Sequence, residues 1–381
     1  MPTKTRSIFE DVGTTQKQTA TPGGIDSKGQ GARGAIRLWL MLLFALLVVM
    51  IAVGGLTRLT DSGLAITVWA PLSGAIPPLN AADWQAEFDA YRQIPEYQLQ
   101  NVGMSMAEFK QIYWWEWGHR QLGRVIGLVW AIGFFGFLVM RKIPKGWTGR
   151  LLFIGALGGL QGAIGWWMVA SGLTDNRVDV ASYRLATHLG LAFVIFGFIT
   201  WFILRIGRRS ADLLTARRAG DARLVTLTTV LVALTFVQII LGALVAGIDA
   251  GRAYPDWPLM AGGFFPPDMW GLTPVWRNLF ENNGTVQFIH RVSGYILFAY
   301  GLFVWWRSRQ SANLRTRRAY VFVMGMLVVQ MLIGIWTVMT MAEPYIAITH
   351  QFGAVVLWAL VLRARFVAQY PFTQSVRGAR A

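Results

Sequence analysis

Residues 116–140 of the chain, EWGHRQLGRVIGLVWAIGFFGFLVM, place a histidine at the start of an apolar stretch long enough to cross a membrane as a helix. The same combination returns three more times. The four histidines of the chain each lie about one or two turns inside the start of such a segment: His119, His188, His290 and His350. Ionisable or ligating side chains are costly inside a bilayer and are usually functional there. The pattern therefore indicates a membrane protein that places its four histidine side chains close together for a function.

The composition supports this class of protein. The chain is 54% hydrophobic and only 14% charged, which is typical of a helical protein with many membrane spans. The absence of cysteine excludes disulfides, thiolate metal sites, iron–sulfur clusters and covalent attachment of haem through Cys-X-X-Cys-His. The net charge of +16 could suggest nucleic acid, but the basic residues concentrate in the tails and in alternate connections. We interpret them as topology signals that also attract anionic membrane lipid, and expect no nucleic-acid partner.

Eight segments of about 20 residues are predicted to cross the bilayer. They are 36–57, 119–140, 150–170, 183–204, 224–247, 287–306, 319–341 and 346–366. Alternate helices share a direction, so the four histidines should lie at one depth toward one face. The basic connections 141–150, 205–223 and 307–318 fall on the opposite face. We therefore expect both termini in the cytoplasm and the histidines toward the opposite face of the membrane.

The chain also repeats itself once. Residues 116–123, EWGHRQLG, match residues 287–294, QFIHRVSG. Further matching pairs, all at an offset of 188, are Asp61 and Asp249, Gly63 and Gly251, and Trp69 and Trp257. The sequence predicts an all-α integral membrane protein whose eight transmembrane helices form two four-helix bundles. Parallel repeats of this kind are related by a pseudo-two-fold axis along the membrane normal.

The repeat sets the predicted domain organisation. A polar segment without hydrophobic periodicity, 1–35, is expected to be a disordered cytoplasmic tail. The N-terminal bundle is predicted at 36–204 and the C-terminal bundle at 224–366, with a cytoplasmic linker at 205–223 between them. Residues 367–381 form the second cytoplasmic tail. Two similar bundles imply two similar sites.

Each half pairs a histidine of its second helix with a histidine of its fourth helix. The pairs are His119 with His188 and His290 with His350. Two helices of one bundle can present imidazoles to opposite faces of a haem, and low-spin haem iron takes one imidazole on each side. Two imidazoles per half without any cysteine make a poor zinc or copper site. We predict that the four histidines are axial ligands of haem iron.

Arginines follow the first histidine of each half. Arg120 and Arg291 stand directly after His119 and His290, and Arg124 lies one turn further on in the first half only. A guanidinium can bind a carboxylate through two parallel hydrogen bonds, so these side chains are candidates for binding the haem propionates. The alternative interpretation is that they are interfacial anchors.

The repeat breaks at one informative position. Glu116 lies one turn before His119, whereas the residue one turn before His290 is Gln287. A carboxylate can orient water, stabilise a developing cation or accept a proton, so we expect chemistry in the first half and passive haem binding in the second. The alternative for Glu116 is a structural partner of Arg120. On the residues alone, an enzyme, a bis-histidine electron carrier and a haem transporter or chaperone all remain open.

At these residues the sequence resembles the haem A synthase family, in its cysteine-free proteobacterial and mitochondrial form. The resemblance covers about residues 35–370. The stretches that carry it are 54–60 (GGLTRLT), 113–124 (YWWEWGHRQLGR), 246–251 (AGIDAG), 256–260 (DWPLM) and the pair His290-Arg291.

The resemblance implies an oxidoreductase that converts the ring-D methyl group of haem O to a formyl group through hydroxylated intermediates. The product, haem A, serves terminal oxidases, and the farnesyl tail of haem O suits a membrane-embedded pocket. By resemblance, His119 and His188 handle the substrate haem, His290 and His350 hold a haem B cofactor, and Glu116 is the acid beside the active haem. A haem O synthase, an electron acceptor and further copies of the chain are expected partners.

Overall fold

The computed structural model of the chain describes residues 30–174 and 177–373. Within this part, the chain forms twelve α-helices. They are α1 (Gln30–Leu59), α2 (Ala81–Tyr91), α3 (Pro95–Leu99), α4 (Met106–Val139), α5 (Thr148–Val169), α6 (Ser182–Ile206), α7 (Ser210–Arg218), α8 (Ala222–Gly247), α9 (Asn278–Glu281), α10 (Asn283–Ser308), α11 (Leu314–Met339) and α12 (Pro344–Gln369). Short 3-10 turns lie at Ser73–Ala75, Ala250–Arg252 and Val275–Arg277.

Eight of these helices in the described residues are long and apolar enough to cross a membrane: α1, α4, α5, α6, α8, α10, α11 and α12. The predicted class, an all-α protein with eight transmembrane helices, is confirmed. The predicted tails 1–35 and 367–381 lie for the most part outside the described residues. Where they overlap, α1 already begins at Gln30 and α12 continues to Gln369, so both helices extend beyond their predicted bounds.

The largest difference from the predicted boundaries concerns the helix that carries His119. This helix begins at Met106 because Ser105 and Glu108 form a capping box: the Glu108 amide donates to the Ser105 hydroxyl (3.3 Å) and the Ser105 amide donates to the Glu108 carboxylate (2.8 Å). His119 is thus about three and a half turns inside its helix, rather than one or two.

The long helices run between two ends of the molecule. One end, here called the basic end, consists of the short connections 140–147, 207–221 and 309–313. The other end, here called the loop end, consists of the segments 60–105, 170–174, 177–181, 248–282 and 340–343. In the first loop-end segment, Phe88 and Tyr91 pack against Phe109 at the start of α4 and form an aromatic cluster with it. All four histidines lie on the loop-end side of their helices.

Helices of the same half pack around one another. In the first half α1 contacts α4 and α6, and α5 contacts α4 and α6; in the second half α8 contacts α10 and α12, and α11 contacts α10 and α12. The halves meet mainly where α6 packs on α8 and α12, and there the indole of Trp358 donates to the Phe193 carbonyl (3.0 Å). The predicted linker 205–223 contains a helix, α7. The division into bundles at 36–204 and 224–366, and their pseudo-two-fold relation, stay predictions.

One guanidinium joins the two repeats at the loop end. The Arg58 side chain is only 14% exposed and lies 2.9 Å from the Asp61 carboxylate and 2.7 Å from the Asp249 carboxylate. A third carboxylate, that of Asp179, lies 3.6 Å away. Asp61 and Asp249 are repeat equivalents, and both adopt a left-handed backbone conformation just after their helices end. The guanidinium of Arg58 therefore forms ion pairs with equivalent turns of both halves.

Replacing Arg58 by Gln should destabilise the protein by about 2 kcal/mol, because the carboxylates it neutralises would face one another without a counter-charge. Unfolding in detergent with rising dodecyl sulfate, followed by tryptophan fluorescence, measures the change. The matched control is Arg252→Gln, which removes an exposed arginine 3.9 Å from the Asp249 carboxylate. Equal stabilities of the two variants would contradict a central role for Arg58.

Candidate functional site

The four predicted histidines come together in two pairs. His119 is close enough to His188 to interact with it electrostatically, and His290 and His350 stand in the same relation. Each of the four histidines is half-buried and lies against a neighbouring helix of its own half. The pairing predicted from the repeat is therefore present in the geometry, whereas the role of these residues as haem ligands stays a prediction.

Each imidazole lies against a glycine of a neighbouring helix. A methyl group added at these glycines would lie 2.9 to 3.2 Å from the ring, closer than ordinary van der Waals contact. The glycine–histidine pairs are Gly54 with His119, Gly165 with His188, Gly242 with His290, and Gly334 with His350. Any side chain at these positions would push the ring aside, so the glycines set where the imidazoles stand.

Three of the histidines are also held by a glutamine. The side-chain amide nitrogens of Gln161 and Gln330 donate to the carbonyls of His188 and His350, at 3.0 and 3.1 Å respectively. Both are interhelical hydrogen bonds, from α5 to α6 and from α11 to α12.

The third glutamine, Gln238, was not foreseen. It donates to the His290 carbonyl at 3.0 Å and accepts a short hydrogen bond from the Ser293 hydroxyl. At the offset of 188 its counterpart in the first half is Met50, so the repeat gave no signal for it. Among the described residues, His119 has no such glutamine.

The predicted catalytic residue, Glu116, is buried, with 2% of its surface exposed. One carboxylate oxygen accepts from the Arg120 guanidinium at 2.6 and 3.0 Å, and the other accepts from the Ile66 amide at 2.8 Å. Arg120 in turn donates to the carbonyls of Ile66 (2.8 Å) and Val68 (3.1 Å). Glu116 and Arg120 together tie the loop after α1 to the helix of His119.

The second half repeats this arrangement with one element missing. Arg291 donates to the carbonyls of Tyr254 (2.8 Å) and Asp256 (2.9 Å), the repeat equivalents of Ile66 and Val68. Gln287 donates to the Tyr254 carbonyl at 3.2 Å. Because no carboxylate stands at position 287, the buried Nε of Arg291 and the buried Oε1 of Gln287 have no partner in the described part of the chain.

The three candidate arginines thus share one structural function. Arg124, like Arg120 and Arg291, donates to loop carbonyls, those of Ala70 and Pro71, both at 2.9 Å. Binding of haem propionates by these arginines stays a prediction, and the unpaired Nε of Arg291 is a buried donor of the kind such an anion requires.

The residues present fit a bis-histidine haem. Nδ1 of His350 is buried and has no hydrogen-bond partner in the described residues, so no protein contact holds this ring by that nitrogen. The surrounding walls are helices that approach closely at glycines. Within residues 30–174 and 177–373, no group of three or more His, Asp or Glu side chains is arranged to hold a metal ion.

A buried acid that the sequence analysis missed lies near Glu116. Glu96, in α3 of the loop end, is 2% exposed, and its Oε2 has no hydrogen-bond partner among the described residues. Burial, together with the negative charges of Glu116, Asp179 and Asp61, raises the pKa of Glu96 to about 8. Nothing in the local sequence, Ile94-Pro95-Glu96, distinguishes this acid from exposed loop acids, because its burial depends on the aromatic cluster around it.

Fold and site together define a multi-pass membrane protein with two pairs of histidines enclosed between its helices. The sequence profile of a family described as "Cytochrome oxidase assembly protein" matches residues 37–362. Three similar proteins carry the name "Heme A synthase". They come from Dinoroseobacter shibae (66% identity; 99% of this chain, 100% of the relative), Ruegeria pomeroyi (61%; 98% and 99%) and Cereibacter sphaeroides (58%; 99% and 99%). The chain belongs to this family, the haem A synthase family, and the resemblance noted in its motifs is confirmed.

The unusual state of Glu96 predicts a pH dependence of stability. Between the ordinary carboxyl pKa of 4.5 and about 8, the folded protein keeps the Glu96 proton whereas the unfolded chain releases it. Raising the pH through this window therefore favours unfolding, by at most about 1.4 kcal/mol for each pH unit. The variant Glu96→Gln should be more stable than the parent at pH 7 and should lose less stability between pH 5 and pH 8.

Thermal unfolding in detergent at a series of pH values measures both slopes. The control is Asp89→Asn, which removes an exposed acid on the nearby α2. Parallel pH profiles for the parent and Glu96→Gln would show that Glu96 is not protonated in the folded state.

Proposed function

We propose that the chain is a haem A synthase, an oxidoreductase that converts the ring-D methyl group of haem O to the formyl group of haem A. The reaction comes from the relatives that carry this name, which align with the chain over nearly its whole length. The observation that carries the proposal is that two otherwise matching sites differ in one ionisable group. Glu116 stands beside His119, where the second site has the neutral amide Gln287.

The two sites would hold two haems with different roles. His119 and His188 would bind the farnesylated substrate, haem O, and His290 and His350 would bind haem B. When bound, haem B supplies one-electron transfer. The chain's own contribution at the second site is rigidity, because Gln238 and Gln330 hold the backbones of both histidines. A rigid site with an amide in place of the carboxyl group beside its histidine suits a cofactor that must remain unchanged.

The first site would carry the chemistry. Replacing a methyl hydrogen by the hydroxyl of water releases two protons and two electrons, and a second such step gives a geminal diol that loses water to leave the formyl group. The electrons pass to an acceptor. Glu116 is a buried carboxylate held by Arg120 and by the Ile66 amide. Such a fixed anion stabilises positive charge that develops on the oxidised methyl carbon and orients the attacking water.

The substrate site is also held less tightly on one side. His290 is fixed by Gln238, whereas the equivalent of Gln238 in the first half is Met50, whose methyl group would lie 3.5 Å from a methyl placed on Gly123. A thioether offers little hydrogen bonding. We propose that this freedom lets His119 adjust as substrate enters and product leaves, an exchange that the cofactor site does not require.

The proposed setting is the bacterial inner membrane, with both termini in the cytoplasm and the haem sites toward the periplasm. Its support is the charge distribution: the connections of the basic end carry Arg141, Lys142 and Lys145, Arg208 and Arg209, and Arg309. A haem O synthase as substrate donor, a separate electron acceptor and self-association belong to the same proposal. Haem O and haem A, with their apolar tails, can exchange through the lipid.

Substituting Glu116 by Gln tests the catalytic role. The isosteric amide should preserve the loop contact, since Gln287 supports the equivalent loop, so haem binding should persist while formation of haem A falls by about 100-fold or more. Haems are extracted and separated by chromatography after expression with a haem O supply. The matched control is Gln287→Glu, which introduces the carboxylate at the other site and should leave product formation close to that of the parent.

Parent-level conversion by Glu116→Gln would contradict the role of the carboxylate. Haem B alone, at two per chain and without any formyl or hydroxylated product, would instead favour an electron carrier. Reversible release of unmodified haem would favour a transporter.

Single replacements of the histidines by alanine test the assignment of the two haems. His290→Ala and His350→Ala should lose haem B and its low-spin spectrum, while His119→Ala and His188→Ala should lose the substrate or product haem and keep haem B. Haem extraction combined with electron paramagnetic resonance distinguishes the two losses. Loss of the same haem in all four variants would contradict two independent sites.

A further inference from the structure

Four arginines from two helix ends surround a cavity at the basic end of the molecule. The cavity has a volume of about 220 Å³ and lies between the start of α1 and the end of α6. Its walls are Arg33, Gly34, Arg37, Ile206, Gly207, Arg208 and Arg209, without a carboxylate among them. The glycines leave the space between the guanidiniums open. The cavity lies at the opposite end of the helices from the histidines and has no part in the proposed reaction.

Two of the four arginines are held in place by the fold. Arg33 donates to the Arg208 carbonyl at 2.9 Å, which ties the start of α1 to the end of α6. Arg208 donates to the Tyr370 carbonyl at 2.6 Å and lies over the ring of Phe372, 4.6 Å from its centroid. Burial lowers the pKa of Arg208, although the nearby carboxylate of Asp212 opposes this effect. These two guanidiniums form a fixed, positively charged frame.

The other two arginines have no partner. Neither Arg37 nor Arg209 makes a side-chain hydrogen bond or ion pair within the described residues. The guanidinium of Arg37 lies against Gly207, where a methyl group would stand 3.2 Å from its Nε. Two free guanidiniums beside two fixed ones, with no acid in the wall, match the oxygens of a phosphate group.

The surface next to the cavity identifies the kind of phosphate. Arg37 and Met41 are four residues apart and so share a face of α1. Met41 is 46% exposed, and its neighbours Leu38 and Leu42 are 68% and 49% exposed. These side chains belong to a helix apolar enough to span a membrane. A charged pocket at the helix end thus continues into an apolar wall, which is the profile of a phospholipid with its headgroup at the interface.

We propose that this cavity is a binding site for one anionic phospholipid, with its phosphodiester between Arg37 and Arg209 and its acyl chains along Met41. The positively charged choline of a zwitterionic lipid would find no carboxylate in the pocket wall to pair with. The site therefore selects phosphatidylglycerol over phosphatidylcholine. A lipid bound there would also bridge α1 and α6, the two helices that Arg33 joins.

Native mass spectrometry of the full-length protein, released from nanodiscs that contain phosphatidylcholine and phosphatidylglycerol, tests the site. The parent should retain one phosphatidylglycerol, and the double variant Arg37→Gln with Arg209→Gln should retain it about 10-fold less or weaker still. The variant should fold normally because, within residues 30–174 and 177–373, neither side chain has a hydrogen-bond or ion-pair partner to lose. The matched control is Arg317→Gln with Arg318→Gln, two exposed arginines at the same end of the molecule, which should retain the lipid like the parent.

Three outcomes would overturn the proposal. Equal retention by the parent and Arg37→Gln with Arg209→Gln would remove the pocket from lipid binding. An equal loss in Arg317→Gln with Arg318→Gln would reduce the effect to general surface charge. Displacement of phosphatidylglycerol by inorganic phosphate alone would define a site for free anions rather than for a lipid.

Discussion

The close approach of neighbouring helices at glycine is the constraint on which both sites depend. A polar imidazole can lie inside an apolar bundle only where it has room and a partner, and the room for each ring is made by a glycine on the next helix. Gly54 and Gly242 do this for the first histidine of each half, and Gly165 and Gly334 for the second. Each histidine and the glycine it lies against occupy equivalent positions in the two halves, so the repeat contains both members of each pair.

The loop end depends on a second repeated device. In each half, the arginine directly after the first histidine donates hydrogen bonds to two backbone carbonyls of one loop. That loop follows the first helix of the same half. Such loops would otherwise expose backbone groups near the membrane surface. These hydrogen bonds fix each loop to the helix that carries the first histidine of its half. Since Arg58 binds Asp61 and Asp249 at once, the two loops are also coupled to each other.

Periodic features, such as the apolar segments and the repeated histidines, could be predicted from the sequence. Contacts between residues far apart in the chain could be seen only in the structure. The eight apolar segments and the recurrence of histidines were enough to predict the helices and the pairing. The start of α4 could have been predicted from Ser105 and Glu108, which form a capping box in the sequence. Glu96 could not, since its burial arises from an aromatic cluster assembled from separate elements.

Other contacts were beyond prediction for a related reason. Arg58 meets Asp249 across 191 positions of the chain, and such a contact follows from how the halves dock. Gln238 was not predicted because comparing the two repeats identifies only residues that both halves share, and the equivalent position in the first half is Met50. The anchoring of Arg120 and Arg291 to carbonyls was missed because a loop leaves no periodic pattern to show where its backbone returns.

The departures from the repeat support the proposal that one scaffold holds two haems for different purposes. Both halves keep the glycine against the ring and the arginine that donates to the loop carbonyls. They differ where a side chain controls chemistry or exchange: Glu116 opposes Gln287, and Met50 opposes Gln238. Both differences act in the same direction. The first half has an ionisable carboxyl group and lacks one restraint on its histidine, whereas the second half has a neutral amide and a glutamine that holds each histidine backbone. A substrate must react and leave, and a cofactor must do neither, so the two differences support the proposed roles in the same direction.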